Sequence, residues 1–166
     1  MSVRDDAGLI RQLKAHGIPN VVIGGWAVIA HGYVRATRDI DVLVPDTPTV
    51  RRAAGSALAE INAQTLNGAS LAPTAVLPDQ GWQLDTDHGR IDVLLEGVAP
   101  LDFESVRSTA LEAVLDGEPV LIAGLAHLIG FKRLAGRPQD KADLAELEEL
   151  HGPLPILRIP GLDTSE

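Results

Sequence analysis

The sequence lacks cysteine entirely and has few aromatic residues, which make up 3% of its 166 residues. Without cysteine the chain can form neither disulfide bonds nor thiolate metal sites, and this composition is typical of a reducing cytoplasm, where we expect the protein to reside. Because aromatic rings are so scarce, the hydrophobic 45% of the chain predicts a core built from Ala, Val, Leu and Ile.

Basic residues are also scarce, with 14 Lys and Arg against 23 Asp and Glu, and the formal net charge is -9. This balance disfavours broad, non-specific nucleic-acid binding, which requires a basic surface, but it leaves room for a local basic groove. It suits a cationic substrate or a basic protein partner. Long apolar runs are absent: no segment approaches the roughly 18 apolar residues of a spanning helix, and the N-terminus has no signal-peptide pattern. We therefore expect no membrane partner.

Periodicity and turn residues predict one α+β domain over residues 1–152, followed by an extended C-terminal tail over residues 153–166. Asp-Gly and Asp-His-Gly turns between apolar segments predict two β-hairpins, which argue against an all-parallel sheet. We expect a mixed β-sheet flanked by helices, with two C-terminal helices. The predicted helices cover residues 4–16, 26–32, 49–61, 125–136 and 138–152, and the predicted strands cover residues 20–25, 39–44, 81–86, 90–96, 111–115 and 119–124, with a loop or irregular strand over residues 65–80.

Two aspartates, Asp39 and Asp41, stand in the segment "DIDVLV", where every neighbour is apolar. Alternate residues of a strand face the same side, so the two carboxylates project together while Ile40 and Val42 face the core. Carboxylates this close repel each other unless a cation lies between them, and hard divalent cations such as Mg²⁺ prefer carboxylate oxygens. Taken alone, such a pair is more often a solvent-facing strand edge than a metal site.

A third carboxylate, Asp92, stands in a second apolar segment, "RIDVLLE". If this strand lies beside "DIDVLV", Asp92 completes a site for two ions. The same-face pair Asp85 and Asp87 is the competing candidate for this third position.

Two adjacent glycines, Gly24 and Gly25, end a predicted strand and open a predicted helix. Without side chains, their backbone N–H groups can approach a phosphate closely, and we expect Gly25 to adopt a positive φ. An ordinary tight turn is the alternative interpretation of this pair.

Together, "VVIGGWAVIAHG", "RATRDIDVLV" and "RIDVLLE" resemble the polymerase β-like nucleotidyltransferase superfamily. The similarity extends to its small bacterial branch of minimal nucleotidyltransferases and abortive-infection type nucleotidyltransferase toxins. In that branch a helical Lys is followed by Arg and by Asp-x-x-Asp-Leu. The segment "FKRLAGRPQDKADLAEL" supplies the matching residues Lys132, Arg137, Asp140 and Asp143.

The resemblance implies an enzyme that transfers a nucleoside monophosphate from a nucleoside triphosphate to an acceptor hydroxyl and releases pyrophosphate. It implies two Mg²⁺ ions, with Mn²⁺ as the alternative. The implied metal-binding and catalytic residues are Asp39, Asp41 and Asp92; the implied nucleotide-binding residues are Gly24, Gly25, Lys132 and Arg137; and Asp140 and Asp143 have an accessory role as base or in orientation.

The competing interpretation of Lys132 is that it lies on a solvated helix face. The competing interpretation of Asp140 is that its negative charge stabilises the N-terminus of a helix. The Ser that follows the first Gly in many relatives is replaced by Gly25, so we expect phosphate contacts to come from the backbone.

The resemblance leaves the acceptor open, as a protein, an RNA 3′ end or a small molecule such as an aminoglycoside. Because the chain is short, acceptor recognition would use little surface, a homo-oligomer or a partner protein. Two other functions compete. A non-catalytic toxin or antitoxin partner is disfavoured by the intact acid triad, and a nucleotide-sugar glycosyltransferase is disfavoured by the short segment before "DIDVLV".

Overall fold

The structure, a computed structural model, describes residues 3–163, and this part of the chain contains six helices and seven strands. The elements in chain order are α1 (Asp6–Ala15), β1 (Val21–Ile23), α2 (Gly24–Ala30), β2 (Asp39–Val44), α3 (Pro48–Ala59), β3 (Gln64–Thr65), β4 (Trp82–Thr86), β5 (Gly89–Leu95), α4 (Phe103–Ser108), β6 (Leu111–Leu115), β7 (Glu118–Ile122), α5 (Leu125–Ala135) and α6 (Pro138–His151).

Most predicted elements are confirmed to within a few residues, and the structure differs from the expectation in two helices. Helix α2 begins at Gly24 rather than at Trp26, so both glycines belong to its first turn. Helix α4 was not predicted; it is short, begins with Asp102 accepting a hydrogen bond from the Ser105 amide, and buries Phe103 against the sheet.

The strands form one mixed sheet in the order β3-β4-β5-β2-β1-β7-β6. Strand β2 is antiparallel to β1 and parallel to β5, while the two hairpins add antiparallel pairs at both ends. The expected mixed sheet flanked by helices is therefore confirmed. The neighbouring strands β2 and β5 run in register, and this pairing places the acidic residues side by side.

The two faces of the sheet bury different cores. Ile40 and Val42 of β2 and Ile91 of β5 are fully buried in the larger core, which also contains residues of α1 and α3. The opposite face carries a smaller cluster in which Leu43 and Phe103 take part. Because strand residues alternate, Asp39 and Asp41 lie on the same face as Leu43, beyond the edge of this smaller cluster.

The described part of the tail, residues 153–163, has no helix or strand but packs onto α5. Ile159 is 2% exposed, and its Cδ1 atom lies against Gly130. Arg133 donates to the Leu157 carbonyl at 3.2 Å and forms an ion pair with Asp163. The boundary at residue 152 stays a prediction, since these contacts join both sides of it.

None of the helices within residues 3–163 combines the length and apolar character needed to cross a membrane.

Candidate active site

The three aspartates singled out by the sequence converge on one point of the sheet. The parallel register of β2 and β5 sets Asp41 directly beside Asp92, and Asp39 lies two residues earlier on the same face. One carboxylate oxygen from each residue lies within 4.8 Å of the others, which is close enough for all three to bind a common metal centre.

The competing pair lies outside this cluster. Arg90 donates to Asp85 at 3.1 Å, and Asn62 donates to Asp87. Both of these carboxylates therefore have other side chains as partners, away from the acidic cluster.

The acidic cluster is electrostatically unfavourable as it stands. Burial, the charge of Asp39 and the contact with Asp92 raise the pKa of Asp41 to about 8, although Lys132 opposes this shift. Burial also raises the pKa of Asp92, against the opposing effects of Asp41 and Arg90. The cluster therefore favours either a retained proton or a bound cation.

One oxygen of the cluster lacks a hydrogen-bond partner. Asp92 Oδ1 is buried without a donor among the described residues. A buried, unpaired carboxylate oxygen costs free energy unless a proton or cation reaches it. Three carboxylates with such an oxygen fit a hard divalent ion, which takes oxygen ligands.

Gly24 is required by the position of Asp41. Its φ is +66°, a left-handed conformation, and a Cβ atom at this position would overlap the Asp41 carboxylate. The glycine thus lets Asp41 lie against the first turn of α2. The expectation that Gly25 has the positive φ is wrong, because Gly24 is the residue that makes the sharp change of direction.

Gly25 is required by a different neighbour. A Cβ atom there would lie 2.6 Å from Thr37 Oγ1 and 3.3 Å from Arg35 Nη2. Both of these side chains belong to the segment that leads into β2.

A network of charges centred on the buried Lys132, Asp140 and Asp143 joins α5, α6 and this segment. The Lys132 side chain is 7% exposed, and its Nζ lies 2.9 Å from Asp140 Oδ1 and 2.8 Å from Asp143 Oδ2. Arg35 Nη2 donates to Asp143 at 2.9 Å, and Arg137 Nε donates to Asp140 at 2.8 Å. The alternative that Lys132 lies on a solvated helix face is therefore wrong.

The two carboxylates of this network are held ionised. Burial acts to raise the pKa of Asp140, but hydrogen bonds from Arg137 and Lys132 outweigh it and leave the pKa below its ordinary value. Burial is likewise outweighed at Asp143, where bonds from Lys132 and Arg35 lower the pKa. Paired, buried carboxylates of low pKa are poor general bases, so the orienting role is the one these contacts favour.

Asp140 also matches the competing interpretation made for it. Its Oδ2 accepts the backbone N–H of Arg137 at 3.1 Å, so it caps the first turn of α6. One carboxylate thus stabilises the helix start and fixes the side chains of Lys132 and Arg137.

The cations of this network act electrostatically on the acidic cluster. The charge of Lys132 acts to lower the pKa of Asp41, and the charges of Asp41 and Asp92 contribute to raising the pKa of Arg137. The site therefore presents carboxylates for cations next to cations for anions.

The positions of Arg35 and Thr37 were not predicted from the sequence. In the structure, residues 35, 37 and 39 are half-buried while residues 34, 36 and 38 are exposed. This alternation continues the period of β2 upstream, so these side chains face the same side as Asp39. The sequence carries only a weak form of this signal, because positions 35, 37 and 39 are polar but position 38 is polar as well.

No protein-family model matches the chain, and no curated protein matches it. Several solved structures do. The lincosamide antibiotic adenylyltransferase LnuA, solved with lincomycin bound, is 13% identical over 90% of this chain and 99% of its own, with a TM-score of 0.60. The antibiotic-resistance factor ANT(2'')-Ia is 17% identical over 89% of this chain and 84% of its own, with a TM-score of 0.59.

A third structure, a protein of Thermotoga maritima described as a nucleotidyltransferase, is 11% identical over 87% of this chain and 90% of its own, with a TM-score of 0.54. The chain has the polymerase β-like nucleotidyltransferase fold. In this nucleotidyltransferase fold, the acidic cluster lies on β2 and β5, and the two glycines open α2 beside it.

Proposed function

We propose that this protein is a Mg²⁺-dependent nucleotidyltransferase that moves a nucleoside monophosphate from a nucleoside triphosphate to an acceptor hydroxyl. The observation that supports this most strongly is the cluster of Asp39, Asp41 and Asp92 on adjacent strands of a nucleotidyltransferase fold. A sheet fixes such ligands more rigidly than a loop would.

The three aspartates would hold two Mg²⁺ ions, with Mn²⁺ as the alternative. Such ions, when bound, neutralise phosphate charge and lower the pKa of an acceptor hydroxyl. The Asp41 carboxylate lies against Gly24, so Asp41 and Asp39, on the same strand, would lie on the triphosphate side of the site. Asp92, on the neighbouring strand, would orient the acceptor. The acceptor oxygen bonds to the α-phosphorus as the bond from that phosphorus to pyrophosphate breaks, and the hydroxyl proton passes to solvent water.

The cationic side of the site binds the triphosphate. Lys132 and Arg137 direct positive charge toward the acidic cluster, and the backbone of Gly24 and Gly25 borders it. Positioning and charge neutralisation supply most of the catalysis of phosphoryl transfer, so a rigid network suits this task. Asp140 and Asp143 serve as positioning residues for the cations.

The acceptor that we favour is a small, cationic, hydroxyl-bearing molecule of the aminoglycoside type. The net charge of -9 attracts cations and repels RNA. A crystal structure of ANT(2'')-Ia contains adenylyl-2''-tobramycin, and the LnuA structure contains lincomycin. Protein and RNA acceptors, a homo-oligomer and a toxin or antitoxin partner stay predictions.

The test is incubation with each triphosphate labelled at the α-phosphate, Mg²⁺, and separate pools of aminoglycosides, RNA and cell protein. We expect label in the aminoglycoside pool, with release of pyrophosphate, for the wild type and for the control Asp85→Asn. Asp41→Asn should transfer nothing. Equal transfer by Asp41→Asn, or no transfer from any triphosphate to any pool with either Mg²⁺ or Mn²⁺, would overturn the proposal.

A further inference from the structure

Two side chains occupy the space that a side chain of residue 25 would fill. The Thr37 hydroxyl oxygen lies 2.6 Å, and Arg35 Nη2 lies 3.3 Å, from the position of a Cβ atom built on Gly25. The absence of a side chain at Gly25 therefore brings a hydroxyl and a guanidinium group onto the backbone of α2. They stand next to Gly24, against which the Asp41 carboxylate lies.

Neither group is fully used by the protein. Thr37 Oγ1 donates to the Asp39 carbonyl at 3.1 Å, and its lone pairs have no donor among the described contacts. Arg35 directs Nη1 to the Ala36 carbonyl at 2.8 Å and Nη2 to Asp143. A guanidinium group has five N–H donors, so each terminal nitrogen of Arg35 keeps one N–H beyond these contacts.

We propose that the Thr37 hydroxyl and the Arg35 guanidinium group bind the β- and γ-phosphates of the triphosphate, in place of the side chain that Gly25 lacks. The inference rests on the proposed nucleotidyltransferase function and adds two ligand-binding residues to it. From the sequence, the phosphate contacts at this point were expected to come from the backbone alone.

The chemistry of the pair favours a phosphate over other ligands. A hydroxyl and a guanidinium N–H that converge beside three carboxylates suit a group that binds both donors and cations, and a phosphate bridging to a metal ion does so. The Thr37 hydroxyl can rotate from the Asp39 carbonyl to a phosphate oxygen, since a hydroxyl hydrogen adjusts to its surroundings.

Asp143 acts through Arg35 as a positioning residue. Its two oxygens lie 2.9 Å from Nε and 2.9 Å from Nη2 of Arg35, although the Nε contact is not aligned as a hydrogen bond. This two-point contact fixes the plane of the guanidinium group and leaves its outer N–H groups for the ligand.

The test measures binding of a non-hydrolysable analogue of each nucleoside triphosphate, with Mg²⁺, by calorimetry, and of the matching monophosphate. Thr37→Val keeps the shape of the side chain and removes the hydroxyl, whereas Thr37→Ser keeps the hydroxyl. We expect Thr37→Val to weaken triphosphate binding by roughly tenfold, as for the loss of one hydrogen bond to a charged acceptor, without changing monophosphate binding. Arg35→Gln should act in the same direction, and Thr37→Ser should bind like the wild type.

An exchange of side chains gives a second measurement. Gly25→Ser alone should bind poorly, because its Cβ would meet Thr37 Oγ1 at 2.6 Å. The double variant Gly25→Ser/Thr37→Gly frees that space and returns a hydroxyl to it, so it should recover triphosphate affinity relative to Gly25→Ser and to Thr37→Gly.

Two results would overturn the inference while leaving the proposed function intact. Triphosphate affinity unchanged in Thr37→Val would mean that the hydroxyl only supports the Asp39 backbone. Equal losses for triphosphate and monophosphate would assign the effect to a distorted site. If the wild type binds no triphosphate at all, the proposed function itself fails and the inference fails with it.

Discussion

At the scale of single residues, Asp41 explains why an acidic pair interrupts an apolar strand. Its carboxylate lies against Gly24 and is largely buried near Asp39 and Asp92. These surroundings raise its pKa to about 8, far above the ordinary value of 3.8. Between these two values the unfolded chain ionises while the folded chain keeps its proton. The contribution of Asp41 to stability is therefore lost as pH rises from about 4 to about 8.

Asp41→Asn should abolish nucleotidyl transfer and yet stabilise the metal-free protein, because the amide removes a charge that the fold disfavours. The gain in melting temperature should be larger near pH 8 than near pH 5. Thermal melting of both proteins at the two pH values measures this. Asp85→Asn, at an exposed ion pair, is the control. A gain in melting temperature that does not depend on pH would contradict the raised pKa of Asp41.

Gly24→Ala should damage the site more than its backbone conformation alone explains. Gly17 has nearly the same φ, +69° against +66°, but open space around it. Gly17→Ala should lose about 1 kcal/mol of unfolding free energy from backbone strain alone. Gly24→Ala should lose more and should also lose Mg²⁺ binding, because the methyl group displaces Asp41. Urea denaturation measures the loss of unfolding free energy, and metal titration measures Mg²⁺ binding. Equal losses in Gly24→Ala and Gly17→Ala would show that Gly24 is not needed to accommodate Asp41.

At the scale of elements, the parts that could be predicted from the sequence were those with a local signal. Strand β2 and the hairpin of β4 and β5 were predicted because alternating apolar residues and turn residues can be recognised within a few sequence positions. Helix α4 was not predicted because its six residues make fewer than two turns, which is too few for a helical pattern of apolar residues to be recognised. Segments outside helices and strands give weaker signals still, and Arg35 and Thr37 belong to one of them.

The burial of Lys132 could not be predicted from its own helix. Lys is rarely buried unless paired, and its partners Asp140 and Asp143 lie on α6. Only the packing of α5 on α6 brings these groups together. The resemblance to known nucleotidyltransferases singled out these three residues, but it gave neither the ion pairs nor the low pKa of the two carboxylates.

Lys132→Met should destabilise the junction of α5 and α6, because it leaves two buried carboxylates without their shared cation. We expect a loss of about 3–5 kcal/mol in the free energy of unfolding. The exposed Lys141 of α6 provides the control, and Lys141→Met should change stability by about 0.5 kcal/mol at most. Urea denaturation measures both variants, and similar values for the two would show that the buried network does not hold the helices together.

At the scale of the whole molecule, the tail is part of the packed structure up to residue 163. Ile159→Ala should lose about 2–4 kcal/mol of unfolding free energy, since a fully buried side chain is truncated. Ile156→Ala should be nearly neutral because Ile156 is 58% exposed. Chemical denaturation of both variants tests whether the domain ends at residue 152: a neutral Ile159→Ala would support an independent tail, and a large loss would extend the domain.

The fold places three carboxylates from two strands next to a network of charged residues from α5, α6 and the segment before β2. The central claim is that this site binds a metal–triphosphate complex. Anomalous diffraction from a crystal grown with Mn²⁺ and a non-hydrolysable triphosphate tests it most directly. We expect two ions, about 3.5–4 Å apart, bound by Asp39, Asp41 and Asp92, with the phosphates between them and Thr37. Mn²⁺ found only at other carboxylates, or a triphosphate bound away from α2, would contradict the account.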